Sequence, residues 1–172
     1  MHKVINIKVP EHAIEALEYY KSKKTRLMDI RLSNTELKTI NKLTGINLFS
    51  KNDLFVGSDT LYEIMQPVGG KDRHNYHGLT PKELVEVFNN LINPYCVFFT
   101  DLGRLGIIST IISESGHPLM VVIEIGAGLI SNSDANINKM LTMYPKDKLN
   151  KYLGSSKVKK VLYTNQKLNP EK

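Results

Sequence analysis

The sequence predicts an α+β fold: N-terminal helices packed on one face of a four-stranded, mainly antiparallel sheet. Two observations carry this expectation. Apolar residues recur at helical spacing up to Pro94, and beyond it they fall into short β-branched or aromatic runs divided by turn residues. Helices gathered at one end of the chain and strands at the other imply one antiparallel sheet covered on one side, with its second face left to hold a ligand.

The elements follow in order. In EHAIEALEYYKSKK, Ala13, Ile14, Leu17 and Tyr20 share a helical stripe. From Asp29 to Leu43 the positions Leu32, Leu37, Ile40 and Leu43 predict a second helix, opened by a Ser33-x-x-Glu36 capping box and closed by Gly45. Ser58 to Met65 reads as a third, capped by Ser58 or Asp59 and ended by Pro67 and the Gly69-Gly70 hinge. Thr80, Pro81 and Glu83 supply an N-cap, an N1 proline and an N3 acid, so a helix from Pro81 to about Ile92 begins sharply and stops at Asn93-Pro94. Tyr95 to Thr100, Leu105 to Ser113 and Leu119 to Ile125 then form three consecutive antiparallel strands of a meander. A loop of small and polar residues from Gly126 to Asp134 leads to Ile137–Tyr144, a lysine-rich helix from Pro145 to Leu153, and a fourth strand from Val158 to Tyr163.

With 172 residues and 41% hydrophobic content, the chain is long enough to bury a core, and no apolar run approaches the length of about 18 residues that a membrane span needs. The single Cys96 excludes a disulfide framework within one chain, and its apolar setting suits a small packed hydrophobe. The N-terminus lacks the layout of a secretory signal, which makes a reducing, cytoplasmic setting the default and leaves signal-independent delivery into a target cell open. Net charge is +6, unevenly placed: from Lys139 onward nine lysines are opposed only by Asp147 and Glu171. Such a segment suits a polyanion, and Tyr144, Tyr152 and Tyr163, interleaved with the lysines, are placed to stack on bases.

The chemistry concentrates between Gly69 and Pro94. His74 and His77 are closely spaced imidazoles delivered to the start of a capped helix beside Lys71 and Arg73. With an ordinary pKa of about 6.5, such a pair divides into one base and one acid near neutrality. Other constellations carry less. Ser113, Glu114 and His117 share one hairpin turn without the spacing of a triad. The two histidines lack the further ligands of a metal site, and the glycines lack nucleotide-binding spacing, so neither metal nor cofactor is expected.

The succession HNYHGLTPKELVEVFNNLINPYCVFFT, ISESGHPLMVVIEI, NINKMLTMYPKDKLNKYL and KVLYTNQK resembles the C-terminal domains of phage MuF-like and polyvalent proteins, in the barnase, EndoU, colicin and RelE-like nuclease group. The likeness runs from about Leu54 to Lys167, which divides the chain into an N-terminal helical extension (1–53) and a nuclease-like domain (54–172). It implies a metal-independent endoribonuclease in which a 2′-hydroxyl attacks the adjacent phosphate. His77, and then His74, would serve as acid and base. Lys146 would stabilise the phosphorane, with Thr142 and Tyr144 hydrogen-bonding a phosphate oxygen, all on one face if T-x-Y-x-K is extended. Arg73, Lys71, Lys139, Lys148 and Glu124 are the candidates for contacting substrate. The implied partners are RNA and an immunity or host target protein, with no membrane. An alternative is a phage protein without catalysis that binds and inhibits a host defence or nucleic-acid-processing complex.

Overall fold

Among the described residues, eight strands form one mixed sheet in the order β1-β2-β3-β7-β6-β5-β4-β8, seen in a computed structural model of the chain. The structure describes residues 3–7, 10, 12, 15, 28–33, 35–68, 76–129 and 132–168. The strands are β1 (Lys3–Ile7), β2 (Met28–Leu32), β3 (Leu54–Gly57), β4 (Cys96–Thr100), β5 (Leu105–Ile112), β6 (Pro118–Leu129), β7 (Asn132–Pro145) and β8 (Val158–Thr164). The β1–β2 and β3–β7 pairs are parallel, and the remaining pairs are antiparallel.

The expected meander is present as β4, β5 and β6, with β8 beside β4. The expectation of a four-stranded antiparallel sheet under N-terminal helices is corrected. The N-terminal third contributes β1, β2 and β3, and residues 132–145 add β7, so the sheet is twice as wide as expected and partly parallel. The Asp29–Leu43 helix resolves into strand β2, a turn, and the short helix α1 (Thr39–Thr44). The helical spacing of Leu32, Leu37 and Ile40 is real, but all three reach one core from different elements. Ser33 and Glu36 form no capping box: the Ser33 hydroxyl donates to the Ile7 carbonyl at 3.0 Å, Glu36 sits at φ 51°, and Thr35 bonds the Leu32 and Asn52 carbonyls. Gly45 does close α1, in the left-handed region at φ 71°. The helix expected over residues 11–24 lies largely outside the described residues.

Helix α2 (Ser58–Met65) has the expected bounds, but its N-cap is Gly57 rather than Ser58 or Asp59. Helix α3 (Pro81–Asn90) begins as expected, with the full Thr80–Glu83 capping box and Pro81 in the first turn. The region from Gly126 to Asp134 is not a loop: β6 and β7 pair as far as Leu129 opposite Asn132. Register shifts on both sides of Ala127, beside Gly126 at φ 78°, let a small-residue segment stay in the ladder. The lysine-rich helix shrinks to α4 (Leu149–Leu153), because β7 runs to Pro145 and Lys148, at φ 49°, turns the chain.

Alternation along the strands divides the interior in two. Val97, Leu105, Ile107, Val121, Ile123, Met140 and Met143 face α1, α2 and α3, where Ile40, Leu61, Ile64, Leu84, Val87 and Phe88 complete the larger core. α1 also touches β8, so the sheet curls around this face. Cys96, Phe98, Ile108, Met120 and Val122 point the other way and are roofed by Leu149 of α4. The second face is therefore partly covered rather than free. No helix among the described residues is long and apolar enough to cross a membrane.

Candidate functional site

The site arises where β3 gives up its partner. β3 pairs with β7 only over Leu54↔Asn138 to Val56↔Met140, because Gly57 turns the chain into α2. Asn138 fixes this junction by donating to the Lys51 and Asp53 carbonyls at 2.9 and 3.1 Å. Among the described residues, Leu141 to Pro145 of β7 are therefore paired on the β6 side alone. The described part of the α2–α3 connection leading into α3, residues 76–80, comes against this part of β7. It is tied down by Gly78 N–H to the Gln66 carbonyl at 2.7 Å and Leu79 N–H to the Ile64 carbonyl at 3.0 Å. Gly78 takes φ 65°, a value that favours glycine, and the Thr80 cap follows at once.

His77 is thereby held against β7, 65 residues away in sequence, with its Nε2 3.5 Å from the Thr142 hydroxyl. Its ring lies 5.2 Å from the Tyr144 ring at a tilt of 32°. Thr142 and Tyr144 stand two apart on one strand and share the face under α4. Burial without a compensating charge lowers the His77 pKa from its usual value, so the ring is neutral at neutral pH and has a lone pair to accept a proton. Burial, with the Tyr152 phenol nearby, pushes Tyr144 up to about 12, which keeps its hydroxyl protonated. Tyr152 is raised too, by burial and then by Asp101.

Lys146 continues the ladder through its N–H to the Pro118 carbonyl at 2.8 Å, and its Nζ lies 4.2 Å from the centre of the Tyr152 ring. The Phe98 ring meets Tyr152 edge-on at 5.8 Å and 74°. Around Tyr152 lies a shallow depression of about 230 Å³ lined by Lys146, Asp147, Lys148, Lys151, Ser155 and Lys157. Imidazole, phenol, hydroxyl and lysine thus line one face over the end of β7 and the start of α4.

The model of the phage MuF-C-terminal domain family matches residues 69–171, more than half of the chain. The chain belongs to this family. The MuF-C-terminal match takes in the histidine connection, α3, β4 to β8 and α4, while β1, β2, β3, α1 and α2 lie before it. Comparison with curated proteins and with solved structures returned no match.

Within the MuF-C-terminal region the structure brings together His77, Thr142 and Tyr144, and sets Lys146 beside them on Tyr152. Lys148 is exposed at the rim of the depression. Lys139 and Glu124 are not brought there. They face each other across β6 and β7, five residues from Tyr144, or about 16 Å along the strand. His74, Arg73 and Lys71 lie outside the described residues, as do Gly69 and Gly70. No group of histidine, cysteine or acidic residues suited to a metal ion occurs among the described residues. Cys96 is buried, and burial raises its thiol to about 11.

One residue plays a larger part than its sequence pattern announces. The buried Glu83 accepts from Thr80 N–H at 2.9 Å through Oε1, as the capping box requires, and also from Glu114 N–H at 3.0 Å through Oε2. It fastens the start of α3, and with it the histidine connection, to the β5–β6 turn. The capping box was legible; the second bond, between residues 31 apart, was not.

Proposed function

We propose that this MuF-C-terminal domain is a metal-independent endoribonuclease of the barnase, EndoU, colicin and RelE-like kind. The observation that carries the reading is the convergence of His77 on Thr142 and Tyr144 from a distant part of the chain, which sets an imidazole, a hydroxyl and a phenol side by side. Neutral His77 takes the proton from the 2′-hydroxyl of the ribose, whose oxygen attacks the adjacent phosphorus. The phosphorus–5′-oxygen bond breaks and Tyr144 protonates the departing oxygen. Although its pKa is about 12, the phenol is a stronger acid than the alcohol it forms. The products are a 2′,3′-cyclic phosphate and a 5′-hydroxyl. Proton return from the His77 imidazolium to the neighbouring Tyr144 phenolate then restores both groups. Thr142 donates to a non-bridging oxygen, and Lys146, released from Tyr152 by rotation of its four-carbon stem, neutralises the phosphorane.

The test is incubation of the purified protein with end-labelled single-stranded RNA in excess EDTA. Wild type is expected to leave cyclic phosphate ends, and His77→Ala to slow cleavage by about 10²- to 10⁴-fold, the usual contribution of one acid–base group. RNA left intact by folded wild type, or cut equally by the variant, would overturn the proposal.

A further inference from the structure

The depression beside Tyr152 has contents that the cleavage step does not use. Lys148, Lys151 and Lys157 surround it with Lys146, and among the described residues of its lining Asp147 is the only carboxylate. The ion pairs among the described residues are Arg31 with Asp53 and Lys82 with Glu86, so none of these four cations is held in one. Like charges gathered around a common hollow repel each other and cost stability unless an anion shares the space. The wall is aromatic, and the lysine already lying on the Tyr152 ring shows that its face accepts a cation; a base can stack on the same kind of face. The opening is shallow and faces solvent, and Ser155 in its lining donates its hydroxyl to the Tyr152 carbonyl at 2.6 Å.

Its position relative to the reacting cluster decides what it would hold. Lys146 lies two residues beyond Tyr144 on the same extended run, about 7 Å along the chain, close to one nucleotide step of an extended strand. A strand whose scissile phosphate lies at His77 and Tyr144 therefore reaches the depression with its next phosphate, and the base attached there meets Tyr152. We infer that the hollow formed by Lys148, Lys151 and Lys157 around Tyr152, whose ring face Lys146 leaves when it turns to the scissile phosphate, is a subsite for the neighbouring phosphate and base of single-stranded RNA. The inference rests on the cleavage reading for the direction of the strand, but its binding chemistry is separate. A duplex keeps its bases paired and cannot lay one on Tyr152, so the subsite selects unpaired RNA.

The experiment measures binding of a fluorescent 2′-O-methyl oligoribonucleotide, which lacks the attacking hydroxyl and stays intact whether or not the protein is a nuclease. Anisotropy titrations across a salt series compare wild type with Lys151→Gln/Lys157→Gln, and with Lys38→Gln/Lys42→Gln, which removes the same charge from exposed positions on and beside α1. The subsite pair is expected to weaken binding about tenfold and to flatten the log–log salt slope by about 0.7 for each phosphate that is no longer neutralised. The α1 pair is expected to stay within about twofold of wild type, because screening removes the influence of charges beyond a Debye length of about 10 Å. Equal losses in the two pairs would reduce the effect to net charge and overturn the subsite. So would a duplex that competes as well as the single strand. Failure of RNA cleavage with these binding results intact would overturn the enzyme reading alone.

Discussion

Replacing Gly106 with alanine would place a methyl group inside the Phe98 ring. The two residues are directly paired across β4 and β5, and a Cβ at position 106 would meet Phe98 Cζ at 2.2 Å and its Cε2 and Cε1 at 2.5 and 2.6 Å. Those atoms have nowhere to go: Phe98 is fully buried, and the Tyr152 ring stands against it. Without Phe98, alanine would be the better strand residue by roughly 0.5–1 kcal/mol, because glycine loses more backbone entropy on folding. Overpacking a closed core costs typically 1–3 kcal/mol, and three approaches this short put the substitution at the top of that range. The clash therefore outweighs the entropy gain, for a net loss of about 2 kcal/mol, which lowers the midpoint of a chain this size by about 4–8 °C. Thermal unfolding followed by circular dichroism measures it. Phe98→Leu lacks the three colliding ring carbons, so Gly106→Ala in that background should cost less than about 0.5 kcal/mol. An unchanged midpoint for Gly106→Ala, or strict additivity of the two substitutions, would refute the argument. Because Phe98 supports Tyr152, the same substitution should also weaken binding of the 2′-O-methyl oligonucleotide.

Two further outcomes test the site and its support. The unfolded chain binds a proton at an ordinary histidine pKa near 6.5, whereas half-buried His77 resists it, so stability rises with pH through the window below 6.5 and is lost on acidification; urea unfolding at acidic and neutral pH should therefore show a smaller acid loss in His77→Gln than in wild type, and equal losses would contradict the lowered pKa. Glu83→Gln keeps the shape of the side chain but turns an N–H toward one of two backbone donors, Thr80 or Glu114, so it should cost about 2 kcal/mol in urea unfolding, and a cost below about 0.5 kcal/mol would show that the bridge to the β5–β6 turn contributes little.

The parts of the site that could be read from the chain are those set by local rules. Thr80, Pro81 and Glu83 announce the start of α3, and so fix where His77 must lie. T-x-Y alternation puts Thr142 and Tyr144 on one face once the segment is extended, as it is in β7. The parts that could not be read depend on pairing across long separations. β2 does alternate, with Met28, Ile30 and Leu32 apolar and Asp29 and Arg31 polar, but over only five residues, and Leu32 also falls at helical spacing with Leu37 and Ile40, so the longer helical pattern overrode it. β3 is four residues long and buried throughout, too short to show any period. The β6–β7 extension read as a loop because its glycines and polar residues lack strand propensity, and its ladder rests on a neighbour rather than on side-chain preference.

Those hidden strands bear on the site as much as the visible ones do. Had β3 continued along β7, its backbone would have taken the edge beside Thr142 and Tyr144, and the α2–α3 connection would have had no place against that strand. Gly57 ends β3 after Val56↔Met140, and the chain leaves as α2. Gly78 and Leu79 are held by the Gln66 and Ile64 carbonyls, and His77 meets the side chains of Thr142 and Tyr144 instead of making a ladder bond. The residues that open this gap lie outside the MuF-C-terminal match, whereas the residue that fills it lies inside. Ile30, Leu32, Leu37, Ile40 and Phe49 share one buried cluster with Leu84 and Val87 of α3. The N-terminal third therefore shapes the geometry of His77 in two ways: through the length of one short strand, and through the core on which α3 rests.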